Sequence, residues 1–181
     1  MALITVLAVV TLLLNLAPAA AQTVTGYDQF STTVASYVDL HRSAESGLDK
    51  GIRAADPDAI DKFERSLATR ISALRSQATA GDLLAPAASH IRQVVAAEIA
   101  SPSGPAILAT IEDENVHGVR LRVNHRYPPT LPRVTMPSRL LARLPVLPPE
   151  LEYRFLGRSL VLVDTHAALV VDLLPDVLPA P

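Results

Sequence analysis

The sequence predicts an α+β protein in which about four amphipathic helices pack on a small C-terminal antiparallel sheet. Apolar residues recur at steps of three and four through residues 27–115, which is typical of helices that bury one face. Short apolar runs separated by turn residues fill 151–174, which is typical of strands joined by tight turns. Because 49% of the residues are hydrophobic and only 19% are charged, the chain has the composition of a protein with a core.

Residues 1–21 have the pattern of a secretory signal peptide. Apolar residues dominate Leu3 to Leu16, and Ala19-Ala20-Ala21 then supplies the small residues of a cleavage site, so Gln22 is the predicted mature start. The apolar run is shorter than the ~20 residues of a comfortable membrane span. We therefore expect a periplasmic or secreted protein with a single α+β domain at 22–181, which touches a membrane only through this segment if it is not cleaved.

Four helices are predicted in the helical part, 27–115. The second begins at Asp56-Pro57, since an acid caps the helix and proline suits its first position, and Gly81 ends it. Asp82 is the predicted cap of the third helix. Each helix has one apolar stripe, which needs a shared core or a sheet to cover it. The four predicted ranges are 27–46, 57–80, 82–100 and 106–115.

The sheet and proline-rich part, 116–175, contains four predicted strands. Leu160 to Val163 is apolar on both faces and is therefore the expected central strand, covered on both sides. Gly157 and Asp164 lie in the two short turns, where Asp164 is suited to bonding the backbone two residues further on. The predicted strands are 119–124, 151–156, 159–164 and 168–174.

Proline is dense between residues 128 and 149, where seven of the 15 prolines lie. Such density prevents a long regular element and favours extended or turn geometry. One short helix, at about 138–144, fits between the prolines. We interpret the region as a packed, rigid connection, with a proline-rich ligand segment as the alternative.

Composition excludes several classes of function. The chain has no cysteine, which rules out thiolate nucleophiles, cysteine-bound metals and disulfides. A net charge of −2 and the absence of tryptophan argue against nucleic acid as a partner. The motifs G-x-S-x-G, S-x-x-K and H-E-x-x-H do not occur, so no catalytic residue and no cofactor is predicted.

Three residues form a candidate metal site if the predicted strand 119–124 joins the sheet. His125 ends that strand, and Asp164 and His166 lie in the turn between the last two strands. Imidazole and carboxylate ligands suit zinc or another transition metal. His41 and His90 lie on or beside apolar helix stripes and are interpreted as packing residues.

A second candidate site is a patch of arginines on the outer face of the sheet. Arg120 and Arg122 alternate with apolar residues of the predicted strand 119–124, and Arg154 lies on the predicted strand 151–156. Three guanidinium groups on one face would bind carboxylates, phosphates or anionic headgroups. The alternative is a solvated face in which Glu150 and Glu152 pair with the arginines.

One stretch of the predicted sheet resembles a known family. Tyr153-Arg154, Gly157, Leu162-Val163-Asp164 and Val170-Val171 occur in an order that is similar to the terminal hairpin of small periplasmic proteins linked to nickel and cobalt homeostasis. The resemblance implies an exported protein and a C-terminal hairpin. It implies no particular ligand residue, and it does not extend to the helical half.

The functional hypothesis from these patterns is a non-enzymatic periplasmic or secreted binding or interaction module. Its expected partner is an envelope protein or a small anionic ligand. The alternative is a small exported hydrolase or metal-dependent enzyme that uses His125, Asp164 and His166. A purely structural envelope protein, held by an uncleaved first helix, is the third interpretation.

Overall fold

The computed structural model describes residues 19–48, 56–134 and 136–180, with side chains from Gly26 onward. Most of the predicted signal peptide therefore lies outside the described residues, and its last residues, Ala19–Ala21, begin the first helix. The α+β prediction is confirmed, since five helices precede a three-stranded antiparallel sheet. The helices are α1 (Ala19–Glu45), α2 (Pro57–Leu74), α3 (Ala88–Ile99), α4 (Gly104–Glu114) and α5 (Ser138–Leu141). The strands are β1 (Leu151–Leu156), β2 (Ser159–Asp164) and β3 (Leu169–Leu174).

Helix α2 begins as its sequence predicts. The Oδ1 atom of Asp56 accepts hydrogen bonds from the backbone N–H groups of Asp58 and Ala59, at 3.1 and 3.3 Å. The helix ends at Leu74, however, before the predicted end near Gly81. The next residue, Arg75, has a non-helical backbone conformation, and its guanidinium group donates to the carbonyl oxygen of Val171 on β3.

Asp82 is not the cap that the sequence predicts. Its carboxylate accepts hydrogen bonds from the backbone N–H and the hydroxyl group of Thr79, at 2.8 and 2.7 Å. The buried Asp172 of β3 instead accepts the N–H groups of the segment before α3, at 2.6–2.8 Å. The three N–H groups that Asp172 accepts belong to Gly81, Leu83 and Leu84. A short 3₁₀ turn at Ala85–Ala87 then leads into α3.

The sheet has the order β1-β2-β3, in which Leu151 pairs with Asp164 and Leu160 pairs with Leu174. The central segment Leu160 to Val163 is buried on both faces, as predicted. One face of the sheet joins the main core, which includes residues of all five helices. The other face forms a smaller cluster with Tyr127 and partly buried residues of 116–131.

The predicted strand at 119–124 is wrong. Residues 119–122 are irregular, and Asn124 has a φ of 62°, which a strand does not allow. The chain reaches the edge of β3 only from Asn124 onward. The N–H of Asn124 bonds to the carbonyl oxygen of Val170 and the N–H of Tyr127 to that of Ala168, at 2.9 and 2.7 Å. An isolated bridge between Arg126 and Leu169 is the one strand-like pairing there.

Among the described residues, no single helix has the length and hydropathy to cross a membrane. The pair Ala85–Ile99 and Gly104–Glu114 meets that test only together, and it is bent by 110°.

Candidate functional site

Asp164 is at the centre of the site. It ends β2, its side chain is fully buried, and its Oδ1 atom accepts the N–H groups of His166 and Ala167 at 3.0 and 2.8 Å. The first of these bonds is the one that the sequence predicts for this turn. The Oδ2 atom accepts a hydrogen bond from the hydroxyl group of Tyr37 at 2.7 Å and lies 2.6 Å from Nδ1 of His41. Four partners therefore satisfy a buried carboxylate.

Tyr37 and His41 reach Asp164 because they lie four residues apart on α1, on the same face of the helix. Burial raises the pKa of Tyr37, and the charge and hydrogen bond of Asp164 raise it further, so its hydroxyl group remains a donor. Burial lowers the pKa of His41, but the hydrogen bond to Asp164 and the charges of Asp164, Glu45 and Glu150 outweigh it and give a net rise.

His41 has one ring nitrogen in use and one without a partner. Its side chain is 1% exposed, and its Nδ1 atom lies 2.6 Å from Oδ2 of Asp164. In the neutral tautomer that donates from Nδ1, the lone pair of the ring lies on Nε2. The Nε2 atom is buried and has no hydrogen-bond partner in the described part of the chain. A buried polar atom without a partner is unusual enough to require an explanation.

Glu45 and His166 lie beside His41. One possible ligand atom from each of the three residues lies within 4.8 Å of the others. Glu45 is one helical turn after His41 on α1, and the ring centre of His166 is 5.3 Å from that of His41. His166 is exposed and Glu45 is half-buried, so the group opens to solvent on one side.

Glu150 adds a further carboxylate near this group. Arg42 donates to its Oε1 atom at 3.4 Å, whereas Oε2 is buried and has no hydrogen-bond partner within the described residues. Its backbone carbonyl accepts the N–H of Thr165 at 2.9 Å, which fixes Glu150 next to the turn that carries His166. The negative charge of Glu150 contributes to the raised pKa of His41.

The predicted metal site is thus only partly assembled. Asp164 and His166 lie at the site, but His125 is exposed on the irregular segment beside β3 and belongs to no group of possible ligands among the described residues. Its predicted position required the strand that does not form. Asp164 binds His41, which the sequence indicated as a packing residue. The available signal was the spacing of His41 and Glu45, which places an imidazole and a carboxylate on adjacent turns.

The predicted arginine patch does not form one face. Arg154 is buried on the sheet, where its guanidinium carbon lies 4.7 Å from the ring centre of Tyr127 and the group pairs with Glu152. Arg120 and Arg122 are exposed on the irregular stretch before Asn124. That Arg120 and Arg122 contact an envelope protein or a small anionic ligand stays a prediction.

No protein-family model, curated protein or solved structure matches this chain. The resemblance of the hairpin at 153–171 to small periplasmic nickel and cobalt proteins therefore stays a prediction.

Proposed function

We propose that the protein is an exported metal-binding protein whose site consists of His41 Nε2, the Glu45 carboxylate and the His166 imidazole. The proposal is carried by His41, whose buried Nε2 atom has no hydrogen-bond partner within the described residues. One ring nitrogen of His41 lies within 4.8 Å of possible ligand atoms of Glu45 and His166. A metal ion would supply the missing partner.

Asp164 supports this assignment because it orients a ligand without binding the metal. Metal-binding histidines usually donate their second ring N–H to a carboxylate, which fixes the ring and its tautomer. The Nδ1 atom of His41 lies 2.6 Å from Asp164, which matches this arrangement, and Asp164 is itself held by Tyr37 and by the turn at residues 166–167. The coordinating nitrogen is therefore preorganised.

The ligand set favours a transition metal over calcium or magnesium. Two imidazoles and one carboxylate match the preferences of zinc, nickel, cobalt and iron, whereas calcium and magnesium require mainly oxygen ligands. The exposed His166 provides access from solvent, and its position in a turn allows it to close on an ion that is already bound to α1.

Isothermal titration of the purified protein with Zn²⁺ and Ni²⁺ tests the proposal. We expect one saturable site, and His166→Ala and Glu45→Gln should each weaken binding by at least the roughly 10–100-fold that loss of an orienting group causes. His125→Ala is the matched control, because it removes an exposed histidine outside the site. Absence of binding, or equal losses in His125→Ala and His166→Ala, would refute the site.

Export is the second part of the proposal and rests on residues 1–21 alone. Amino-terminal sequencing of the protein from the periplasmic or culture fraction should begin at Gln22. Recovery only in the cytosolic fraction would contradict export, and an intact N-terminus would favour a protein held by its first helix.

A metal-dependent hydrolase is the second candidate, favoured by the number of protein ligands. Catalytic zinc sites have three protein ligands and leave one position for water. Glu150, whose Oε2 atom is buried without a partner in the described residues, is the candidate to accept a proton from that water. Turnover of ester, amide or phosphoester substrates by the zinc-loaded protein, lost in both His166→Ala and Glu150→Gln, would establish the enzyme over the binding protein.

A further inference from the structure

An apolar groove lies between the proline-rich segment and β1. Its volume is about 650 Å³, which is within the roughly 300–1,000 Å³ of small-molecule sites. Val134, Leu151 and Tyr153 are buried in its lining. Two apolar side chains of the lining remain exposed, Leu141 at 51% and Val146 at 94%.

Two arginines mark one end of the groove. Arg133 and Arg154 line it and also line a neighbouring pocket of about 100 Å³, so they lie where the two cavities meet. Burial lowers the pKa of Arg154, and the nearby positive charge of Arg133 adds to the lowering. Glu152 pairs with Arg154, and no ion pair to Arg133 is present in the described residues. This end therefore holds two positive charges and one paired negative charge.

We propose that the groove binds an amphiphile with one unbranched alkyl chain and a carboxylate head, that is, a free fatty acid. The alkyl chain would cover the apolar lining around Val134, Leu151 and Val146, and the head would bind between the two guanidinium groups. Arginine is suited to this because its planar group binds a carboxylate through two parallel hydrogen bonds. Charge complementarity at one end, next to a mostly apolar lining, fits a molecule with one anionic group.

This inference is independent of the metal site. None of His41, Glu45 and His166 lines the groove, so either proposal can fail without the other.

Equilibrium dialysis with dodecanoate, on protein purified without detergent, tests the proposal. Dodecanol and dodecyltrimethylammonium are the comparison ligands, because they keep the chain and remove or invert the charge. Arg133→Glu and Val146→Asp are the test variants, since both residues are exposed and their replacement leaves the core intact. Lys62→Glu, at an exposed position of α2 outside the groove, is the matched control for charge. Circular dichroism confirms that each variant is folded.

We expect saturable binding of one dodecanoate, weakened about tenfold or more by each test variant and unchanged in Lys62→Glu. The alcohol and the ammonium compound should bind at least about tenfold more weakly than the carboxylate. No dodecanoate binding, equal binding of dodecanol, or equal loss in Lys62→Glu would overturn the proposal. Binding only to vesicles of phosphatidylglycerol would also overturn it and would assign the groove to a membrane surface.

Discussion

The Nδ1 atom of His41 lies 2.6 Å from the Oδ2 atom of Asp164, which joins helix α1 to the end of strand β2 across 123 positions of sequence. Both side chains are buried. Buried ionic pairs gain little net stability, because desolvation offsets the attraction between the charges. We interpret the pair through its effect on His41, because it fixes the position of an imidazole that lies among possible metal ligands.

The first prediction concerns Tyr37→Phe. The change removes one hydrogen bond to a buried carboxylate, so it should lower the free energy of unfolding by about 1–3 kcal/mol. Metal binding should remain, since Asp164 keeps its bond to His41. Urea denaturation measures the first effect and calorimetric titration the second. The control is Tyr27→Phe, which should shift stability by less than about 0.5 kcal/mol, and equal effects of the two changes would contradict the assignment.

Asp164→Asn tests the role of the carboxylate in orienting His41. The amide can donate to Nδ1, which favours the tautomer with hydrogen on Nε2 and removes the coordinating lone pair. Metal affinity should fall about 10–100-fold, and nitrogen chemical shifts should show the changed tautomer of His41. An unchanged tautomer with unchanged affinity would mean that Asp164 serves only the fold. The exposed Asp113→Asn is the control.

Asp172→Asn should lower the free energy of unfolding without changing metal binding. Asp172 accepts the N–H groups of Gly81, Leu83 and Leu84, and an amide in its place cannot accept at both atoms. The free energy of unfolding should fall by about 2–4 kcal/mol, with the number of bound metal ions unchanged. Asp176→Asn, at an exposed ion pair, should cost less than about 1 kcal/mol. Comparable losses in the two variants by urea denaturation would refute this role for Asp172.

Glu98 should make stability depend on pH in the acid range. The hydrogen bond from Arg143 lowers the pKa of Glu98 below its ordinary 4.5, and Arg139 adds to the lowering although burial opposes it. A lowered pKa in the folded state stabilises the protein above pH 4.5, and this contribution is lost as the pH falls through the lowered value. The melting temperature of Glu98→Gln should therefore lie below that of the wild type near neutral pH, and the difference should shrink below pH 4.5. A difference that is constant across this range would contradict the ion pairs.

Local patterns predicted most of the elements. The steps of three and four, the cap at Asp56 and the meander at 151–174 are properties of neighbouring residues, and each is present. The alternation at 119–123 failed because Asn124 is held by Arg75, and the guanidinium group of Arg75 binds β3. Such a contact between distant segments leaves no periodic signal in either of them.

Only part of the candidate metal site could be predicted from the sequence, because its remaining contacts also join distant segments. Asp164 and His166 share a turn, and the residue types around Asp164 predict that turn. Their partner His41 lies on an apolar stripe, where its pattern is that of any buried helix residue. Only the packing of α1 on the end of β2 brings His41 to Asp164.

X-ray absorption spectroscopy of the nickel-loaded protein tests the central claim most directly, because it counts the imidazoles bound to the ion. The site predicts two imidazoles and oxygen ligands in the wild type and in His125→Ala, with one imidazole lost in His166→Ala. A spectrum without imidazole, or one that His125→Ala changes and His166→Ala does not, would contradict it.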